Sequence, residues 1–223
     1  MKRLTPHRIR GCTVMEDIQQ RTARFANDSY VKPNAASLYG TACCEITTAS
    51  VKDAEDILNI YAYYVKNTAI TFEYDVPAID EFQTRIANIL KKYPYLVAVS
   101  DNKIVGFAYA GPFVGRAAYD WSAEVTIYIS ADKRKCGLGR KLYEALESSL
   151  ARMGILNLYA CIGYPEREDT YLTRNSAEFH AHMGFSTVGK FYKCGYKFGT
   201  WYHMIWMEKI IGTHEASPAP VRY

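Results

Sequence analysis

The chain has 223 residues and a formal net charge of +4, and 49% of its residues are hydrophobic. This length suits one compact domain with short extensions, and the apolar content is enough for a full core. The mild positive charge favours an anionic small ligand, but the basic residues form no stripe typical of a nucleic-acid binder. No uninterrupted apolar run approaches the roughly 20 residues of a membrane helix, and none follows the basic start as in a signal peptide. We therefore expect a cytoplasmic protein with neither a nucleic-acid nor a membrane partner.

Hydrophobic periodicity predicts alternating strands and helices from residue 45 onward. A strand over 45–49 precedes two helices, one with apolar residues spaced from Ala54 to Val65 and one that ends near Pro94. Strands over 95–100 and 103–111 form a hairpin, and a strand over 124–129 alternates apolar and polar side chains. The remaining elements are a helix over 138–153, a strand over 156–162, a helix over 176–183 and strands over 185–191 and 201–209. Helices covering a mixed sheet, an α/β (α+β) architecture, are the expected fold.

The segments outside this pattern carry no motif. Residues 1–44 include one helix-like stretch over 15–25 and are interpreted as a poorly defined N-terminal extension. The main domain is predicted over 45–212, and a loosely held C-terminal tail over 213–223. No Cys-x-x-Cys pair or zinc-ligand spacing occurs among the six cysteines, so we expect reduced thiols and no metal site. They are Cys12, Cys43, Cys44, Cys136, Cys161 and Cys194.

The segment from Arg134 to Arg140 lies between a predicted strand and an amphipathic helix. Its backbone amides crowd at a helix N-terminus, which carries roughly +0.5 of an elementary charge. Such a turn can bind a pyrophosphate, because Gly137 and Gly139 permit close approach and the basic side chains supply countercharge. A tight turn with solvated basic residues is the alternative interpretation. The spacing fits neither the Rossmann nor the P-loop fingerprint.

The pattern Arg134-x-x-Gly137-x-Gly139 resembles the Arg/Gln-x-x-Gly-x-Gly/Ala turn of the GNAT superfamily of N-acetyltransferases. Further stretches are similar to the phosphinothricin N-acetyltransferase family and its relatives that act on methionine sulfone and sulfoximine. These stretches are residues 71–73, 108–112 continuing to 119–121, 124–129 and 195–201. The resemblance covers roughly residues 45–210.

The resemblance implies the GNAT fold, in which helices flank a mixed central sheet and two strands splay around the cosubstrate. It also implies an acetyl-CoA-dependent N-acyltransferase that needs no metal. In that enzyme the primary amine of a small amino-acid-like acceptor attacks the acetyl group directly. Two other functions stay open. One is acetyl transfer to another amine, such as a polyamine, an aminoglycoside or a protein N-terminus, and the other is a non-catalytic acyl-CoA-binding sensor. Because relatives commonly pair, the resemblance also implies a homodimer.

By the same resemblance, a strand edge pairs with the pantetheine arm of acetyl-CoA, since unpaired backbone donors and acceptors await a partner there. The family usually has an asparagine where this chain has Thr173, after an apparent insertion around 166–171. In this interpretation Asn175 takes over the contact. The implied cosubstrate-binding residues are Ile127, Tyr128, Ile129, Arg134, Lys135, Cys136, Gly137, Leu138, Gly139, Arg140 and Asn175.

Two residues align with the family's proton-transfer groups. Glu124 stands at the position of the general base, where partial burial would raise its pKa and help it accept a proton from the amine. A structural salt bridge to Arg116 or to a lysine is the alternative. His180 stands where many members have the Tyr or His that protonates the leaving thiolate. A lone histidine on a helix is more often structural.

The implied acceptor-binding residues are Phe72, Arg116, Tyr119 and Tyr128. An arginine among tyrosines suits an amino acid that carries a carboxylate or phosphinate, because it can form charge-assisted hydrogen bonds. The alternative is a surface arginine beside tyrosines of the core.

Overall fold

The computed structural model describes residues 44–134 and 136–223. Within these ranges seven strands form one sheet in the order β1-β2-β3-β4-β5-β7-β6. Neighbouring strands are antiparallel except β4 and β5, which are parallel. The predicted mixed sheet with flanking helices is confirmed. The strands are β1 (Glu45–Thr48), β2 (Tyr95–Ser100), β3 (Lys103–Pro112), β4 (Ser122–Ile129), β5 (Asn157–Tyr164), β6 (Ser186–Lys197) and β7 (Thr200–Ile210), and the helices are α1 (Ala54–Asn67), α2 (Ile79–Leu90), α3 (Leu138–Met153) and α4 (Asn175–His182).

Strand β6 differs most from its predicted bounds. The sequence pattern ends at Phe191, whereas the strand continues to Lys197. The pairing register with β7 shifts between Phe191 and Gly195, and Lys193 has a positive φ of 49°. A bulge of this kind interrupts the alternation of side chains, which is the signal that predicts a strand. The helix predicted over 15–25, together with Cys12, Cys43 and Lys135, lies outside the described residues.

Helices cover both faces of the sheet. On one face Val125 of β4 packs with the fully buried Leu142 and Leu146 of α3. On the other face Phe107 of β3 packs with Ile57 of α1 and with residues of α2. Each large buried apolar side chain contributes about 1.5–3 kcal/mol, so the central strands are held firmly between two cores. Strand β4 therefore offers one set of side chains to each core.

The C-terminal residues contact the domain, unlike the loose tail that the sequence suggests. Trp121 Nε1 donates a hydrogen bond to the carbonyl oxygen of Ala219 at 2.8 Å. The amide of Arg222 donates to the carbonyl oxygen of Met153 at 2.9 Å. The ring of Tyr223 packs edge-on against Tyr93. Such contacts join residues far apart in sequence, so a proline-bearing tail gives no local sign of them. None of the helices in the described ranges could cross a membrane.

Candidate active site

Strands β4 and β5 separate after a short stretch of pairing. Ser122, Ala123 and Glu124 pair with residues 157–159 of β5. Beyond that point β4 continues to Ile129 and β5 to Tyr164. No pairing between them is found along these continuations, both of which lie wholly in the described chain. Glu124 thus stands at the point where the sheet opens.

The edge of β4 that faces the opening carries backbone groups of Ile127 and Ile129. The amide of Ser130 donates to the carbonyl of Val105 at the end of the β3–β4 ladder, at 2.9 Å. Because successive residues of a strand direct their backbone groups to opposite sides, Ile127 and Ile129 direct theirs away from β3. The Tyr64 hydroxyl of α1 donates a hydrogen bond to the Ile129 carbonyl. The parted edge is therefore partly held by α1 and otherwise available to an extended ligand.

A cleft of about 600 Å³ lies along this edge, between β4, α3 and α4. Its lining includes most of the predicted cosubstrate-binding residues. These are Ile127, Tyr128, Ile129, Arg134, Gly137, Leu138, Gly139, Arg140 and Asn175. Cys136 is not part of the lining, and its thiol donates to the Lys133 carbonyl instead, at 2.9 Å. The binding roles of these residues remain predictions.

Other lining residues were not predicted from the sequence. They are Tyr64, Ile70, Lys133, Thr173, Ser176, Glu178, Phe179, His182 and Met183. Tyr64 lies seven positions after Ile57 in α1, so helical periodicity indicates a core residue. For Thr173 the sequence did give an indication of a binding role, since it occupies the position at which the family usually has a cosubstrate-binding asparagine.

The N-terminus of α3 forms one wall of the cleft. Gly137 precedes the helix with a φ of 79°, a left-handed conformation that favours glycine. At Gly139 an added Cβ would lie 3.2 Å from the Phe179 ring, so a larger residue would crowd the wall. The first amides of a helix lack intrahelical acceptors, and the helix dipole adds partial positive charge there. This end of the cleft can hold an anion.

Arg134 adds a positive charge near the same wall. Its guanidinium lies 5.7 Å from the ring centroid of Tyr63 and 5.2 Å from that of Tyr64. Cation–π contacts of this kind orient the arginine without neutralising it. The charge therefore remains available to a phosphate.

Glu124 is partly buried, and burial raises the pKa of its carboxyl group. None of the cations in the described residues forms a salt bridge with it, so the structural salt bridge to Arg116 or to a lysine is not observed. Cys161 is exposed as a residue, but partial desolvation of its thiol, followed by the charge of Glu124, raises the pKa of that thiol to about 12. Cys161 is therefore protonated at neutral pH and unsuited to act as a nucleophile. Glu124 is the group here that can accept a proton.

His180 is buried in the core and does not line the cleft. Its Nε2 lies 2.7 Å from the Tyr143 hydroxyl, and its Nδ1 lies 2.7 Å from the Ser176 carbonyl. Burial lowers the pKa of His180 to about 4. Both ring nitrogens are thus engaged in hydrogen bonds within the core. This geometry favours a structural role for His180 over proton transfer to a thiolate.

The predicted acceptor-binding residues lie on three separate parts of the fold. Phe72 lies between α1 and α2, whereas Arg116 and Tyr119 lie on the exposed loop between β3 and β4. The Tyr119 ring contacts Phe113, whose own ring stacks on Tyr159 of β5 at 4.0 Å. Of the four predicted residues only Tyr128 lines the 600 Å³ cleft. No group of three or more metal-ligating side chains occurs in the described part of the chain.

We predict that His180 makes stability depend on pH. In the unfolded chain the imidazole ionises near 6.5, but the folded protein resists protonation until about pH 4. Proton uptake by the unfolded state should therefore lower the free energy of unfolding as pH falls through this window. Urea denaturation of His180→Gln should show a shallower fall than the wild type. His182→Gln, on the exposed side of the same helix, serves as the control. Equal pH dependence in the wild type and in His180→Gln would contradict this prediction.

Comparisons with known proteins agree with this geometry. Residues 46–206 match the family model described as acetyltransferase (GNAT) domain. The phosphinothricin N-acetyltransferase of Streptomyces viridochromogenes is 30% identical over 80% of this chain and 93% of the relative. The L-methionine sulfoximine/L-methionine sulfone acetyltransferase of Salmonella typhimurium is 26% identical over 78% of this chain and 98% of the relative. A solved phosphinothricin acetyltransferase from Sinorhizobium meliloti, in complex with acetyl-CoA, is 29% identical with a TM-score of 0.72, over 79% of this chain and 93% of that one. The chain therefore belongs to the GNAT family and is an N-acetyltransferase.

Proposed function

We propose that this enzyme moves the acetyl group of acetyl-CoA to the primary amine of a small amino-acid-like acceptor, of the phosphinothricin or methionine sulfone and sulfoximine type. The observation that carries the proposal is the parted edge of β4 beside the N-terminus of α3, with Glu124 where the strands separate. The names of the relatives support the acceptor class.

The cleft fits acetyl-CoA by its chemistry. Backbone groups of Ile127 and Ile129 would pair with the amides of the pantetheine arm, as a neighbouring strand does. The first amides of α3, together with Arg134 and Arg140, would hold the pyrophosphate. Bound there, acetyl-CoA supplies the thioester carbonyl that the amine attacks.

Glu124 would prepare the amine for attack. An α-amino group ionises near 7.7–8.0, so at neutral pH most acceptor molecules carry a proton that must be removed. A carboxylate whose pKa is raised by burial accepts that proton more readily, directly or through a water molecule. A backbone amide that the pantetheine arm leaves free, that of Ile129 or of a neighbour, would then donate to the developing oxyanion, which can contribute about 3 kcal/mol.

The proton for the leaving thiolate need not come from His180, whose ring nitrogens are engaged in the core. A thiol ionises near 8.5, so a thiolate is already a stable leaving group close to neutral pH. In this proposal departure follows collapse of the tetrahedral intermediate, and solvent can protonate coenzyme A afterwards.

The exposed aromatic residues of β6 and β7 support a homodimer. Phe191 is 51% exposed, Tyr192 74% and Trp201 55%. Large apolar side chains that one hairpin leaves exposed are candidates for an interface. We propose that a second copy covers this hairpin, and sedimentation velocity that gave only the monomer mass would contradict this.

A thiol-release assay with a panel of amines tests the proposed function. We expect coenzyme A release with phosphinothricin, methionine sulfone or methionine sulfoximine. Release with polyamines or aminoglycosides, but with no amino acid, would overturn the acceptor class. Binding of acetyl-CoA without thiol release from any amine would support the sensor instead.

Glu124→Gln should lower kcat by about 10²–10⁴, because the amine loses its base.

The same change should raise the free energy of unfolding at neutral pH. Burial raises the pKa of Glu124 above that of the unfolded chain, so the ionised form costs the folded state stability as pH rises. The gain should disappear in acid, where the wild-type carboxyl is protonated in both states. Rate assays and urea denaturation measure the two effects, and an unchanged rate between about pH 6 and 9 would remove Glu124 from the mechanism.

Arg116→Ala should raise the KM for the acceptor about tenfold or more, since one charged contact contributes about 1.5–3 kcal/mol. The dissociation constant of acetyl-CoA should stay unchanged, because Arg116 does not line the cosubstrate cleft. Arg152→Ala, at the exposed far end of α3, is the matched control. An unchanged acceptor KM would place Arg116 outside the acceptor site.

A further inference from the structure

Lys197 at the end of β6 is a buried cation that the proposed chemistry does not use. Its side chain is 2% exposed. None of the carboxylates in residues 44–134 and 136–223 lies within salt-bridge distance of it. Its Nζ donates to the carbonyl oxygens of Val65 and Thr71, each at 2.8 Å. A buried ammonium group is costly unless it is hydrogen-bonded, and burial lowers the pKa of Lys197. The two hydrogen bonds, the Phe198 ring centred 5.2 Å from Nζ and the negative charge of Glu73 favour the charged form.

The two carbonyls belong to different structural units. Val65 lies in the last turn of α1, where carbonyl groups lack intrahelical donors and the helix dipole favours a cation. Thr71 lies in the segment that follows the helix and immediately precedes Phe72. The Thr71 side chain is also held, since its Oγ1 lies 2.9 Å from the Tyr61 hydroxyl. Lys197 therefore ties the peptide that leads into Phe72 to the end of α1.

Strand β6 also holds the Phe72 ring itself. At Gly195 an added Cβ would lie 2.5 Å from that ring, so only glycine leaves room for it. Gly195 and Lys197 are separated by one residue on the same strand. The C-terminal end of β6 thus packs against the Phe72 ring through Gly195 and holds the preceding backbone through Lys197.

We propose that Lys197 is a positioning residue for the acceptor, which acts by fixing the Thr71–Phe72 peptide and hence the direction of the Phe72 side chain. This inference rests on the proposed function and on the acceptor contact that the family resemblance implies for Phe72. Removing the ammonium group would leave the Val65 and Thr71 carbonyls without this donor, which lowers stability because acceptors left unsatisfied are costly. Lys197 therefore adds to stability, and the positioning role predicts in addition an effect on the acceptor KM that a loss of stability alone does not produce.

Lys197→Met tests the proposal, because it keeps the apolar stem and removes both hydrogen bonds. We expect the acceptor KM to rise about tenfold or more, since small misplacements of a substrate-positioning group have effects of this size. The change in kcat should be smaller, and the dissociation constant of acetyl-CoA from calorimetry should stay within about twofold. Lys190→Met, an exposed lysine on the same strand, should behave as the wild type. Lys197→Gln keeps a donor and should give an intermediate KM, and it replaces the methionine variant if that one does not fold.

Hydrogen exchange separates this proposal from the proposed function. In the protein without acceptor, amides of the segment after α1 should exchange faster in Lys197→Met than in the wild type. Unchanged exchange, or an acceptor KM within about twofold of wild type alongside a lower melting temperature, would overturn the positioning role. If wild-type protein acetylates no amino acid, the proposed function fails, while the exchange result still decides whether Lys197 fixes the segment.

Discussion

The unpaired edge of β4 is the constraint on which the site depends. Buried backbone amides and carbonyls must find partners, because each unsatisfied group costs about 1–3 kcal/mol. β4 and β5 pair through Glu124 and then part, and Tyr64 caps only the Ile129 carbonyl. The N-terminus of α3 adds further unpaired amides at the same cleft. An extended, amide-bearing ligand with a phosphate end satisfies both sets of groups at once, and this complementarity explains why acetyl-CoA suits the cleft.

Glu124, Lys197 and Glu73 are ionisable side chains that are wholly or partly buried. Glu124 is partly desolvated without a salt bridge, and Lys197 is buried against two carbonyls. The Glu73 carboxylate pairs through one oxygen with Arg85 at 2.7 Å, while its buried Oε2 has no hydrogen-bond partner. Carboxylate groups placed in this way reduce stability, and proteins commonly accept them where function requires them. The aromatic and aliphatic layers that cover both faces of the sheet offset that cost.

Local signals in the sequence predicted much of the fold and part of the site. Alternation along β4 predicted this strand, and glycines at both ends of α3 predicted the helix bounds. The turn at Arg134–Arg140 predicted one wall of the cleft, for which anion binding is a proposal. The parting of β4 from β5 had no local signal and followed only from resemblance to a family. Contacts between residues far apart in sequence could not be predicted, such as those of His180 with Tyr143 and of Lys197 with Val65. Without the His180–Tyr143 contact, the sequence left a proton-transfer role open for His180. The burial of Lys197 could not be predicted either, because the bulge in β6 interrupts the alternation of its side chains.

Calorimetric titration of the intact protein with acetyl-CoA tests the central claim most directly. If the parted edge of β4 and the start of α3 bind the cosubstrate, the titration should give saturable heat with about one site per chain. Weaker binding in high salt should follow, because a pyrophosphate held by exposed arginines is screened. A titration without heat at saturating acetyl-CoA, repeated at a second temperature to exclude a zero enthalpy, would contradict the account.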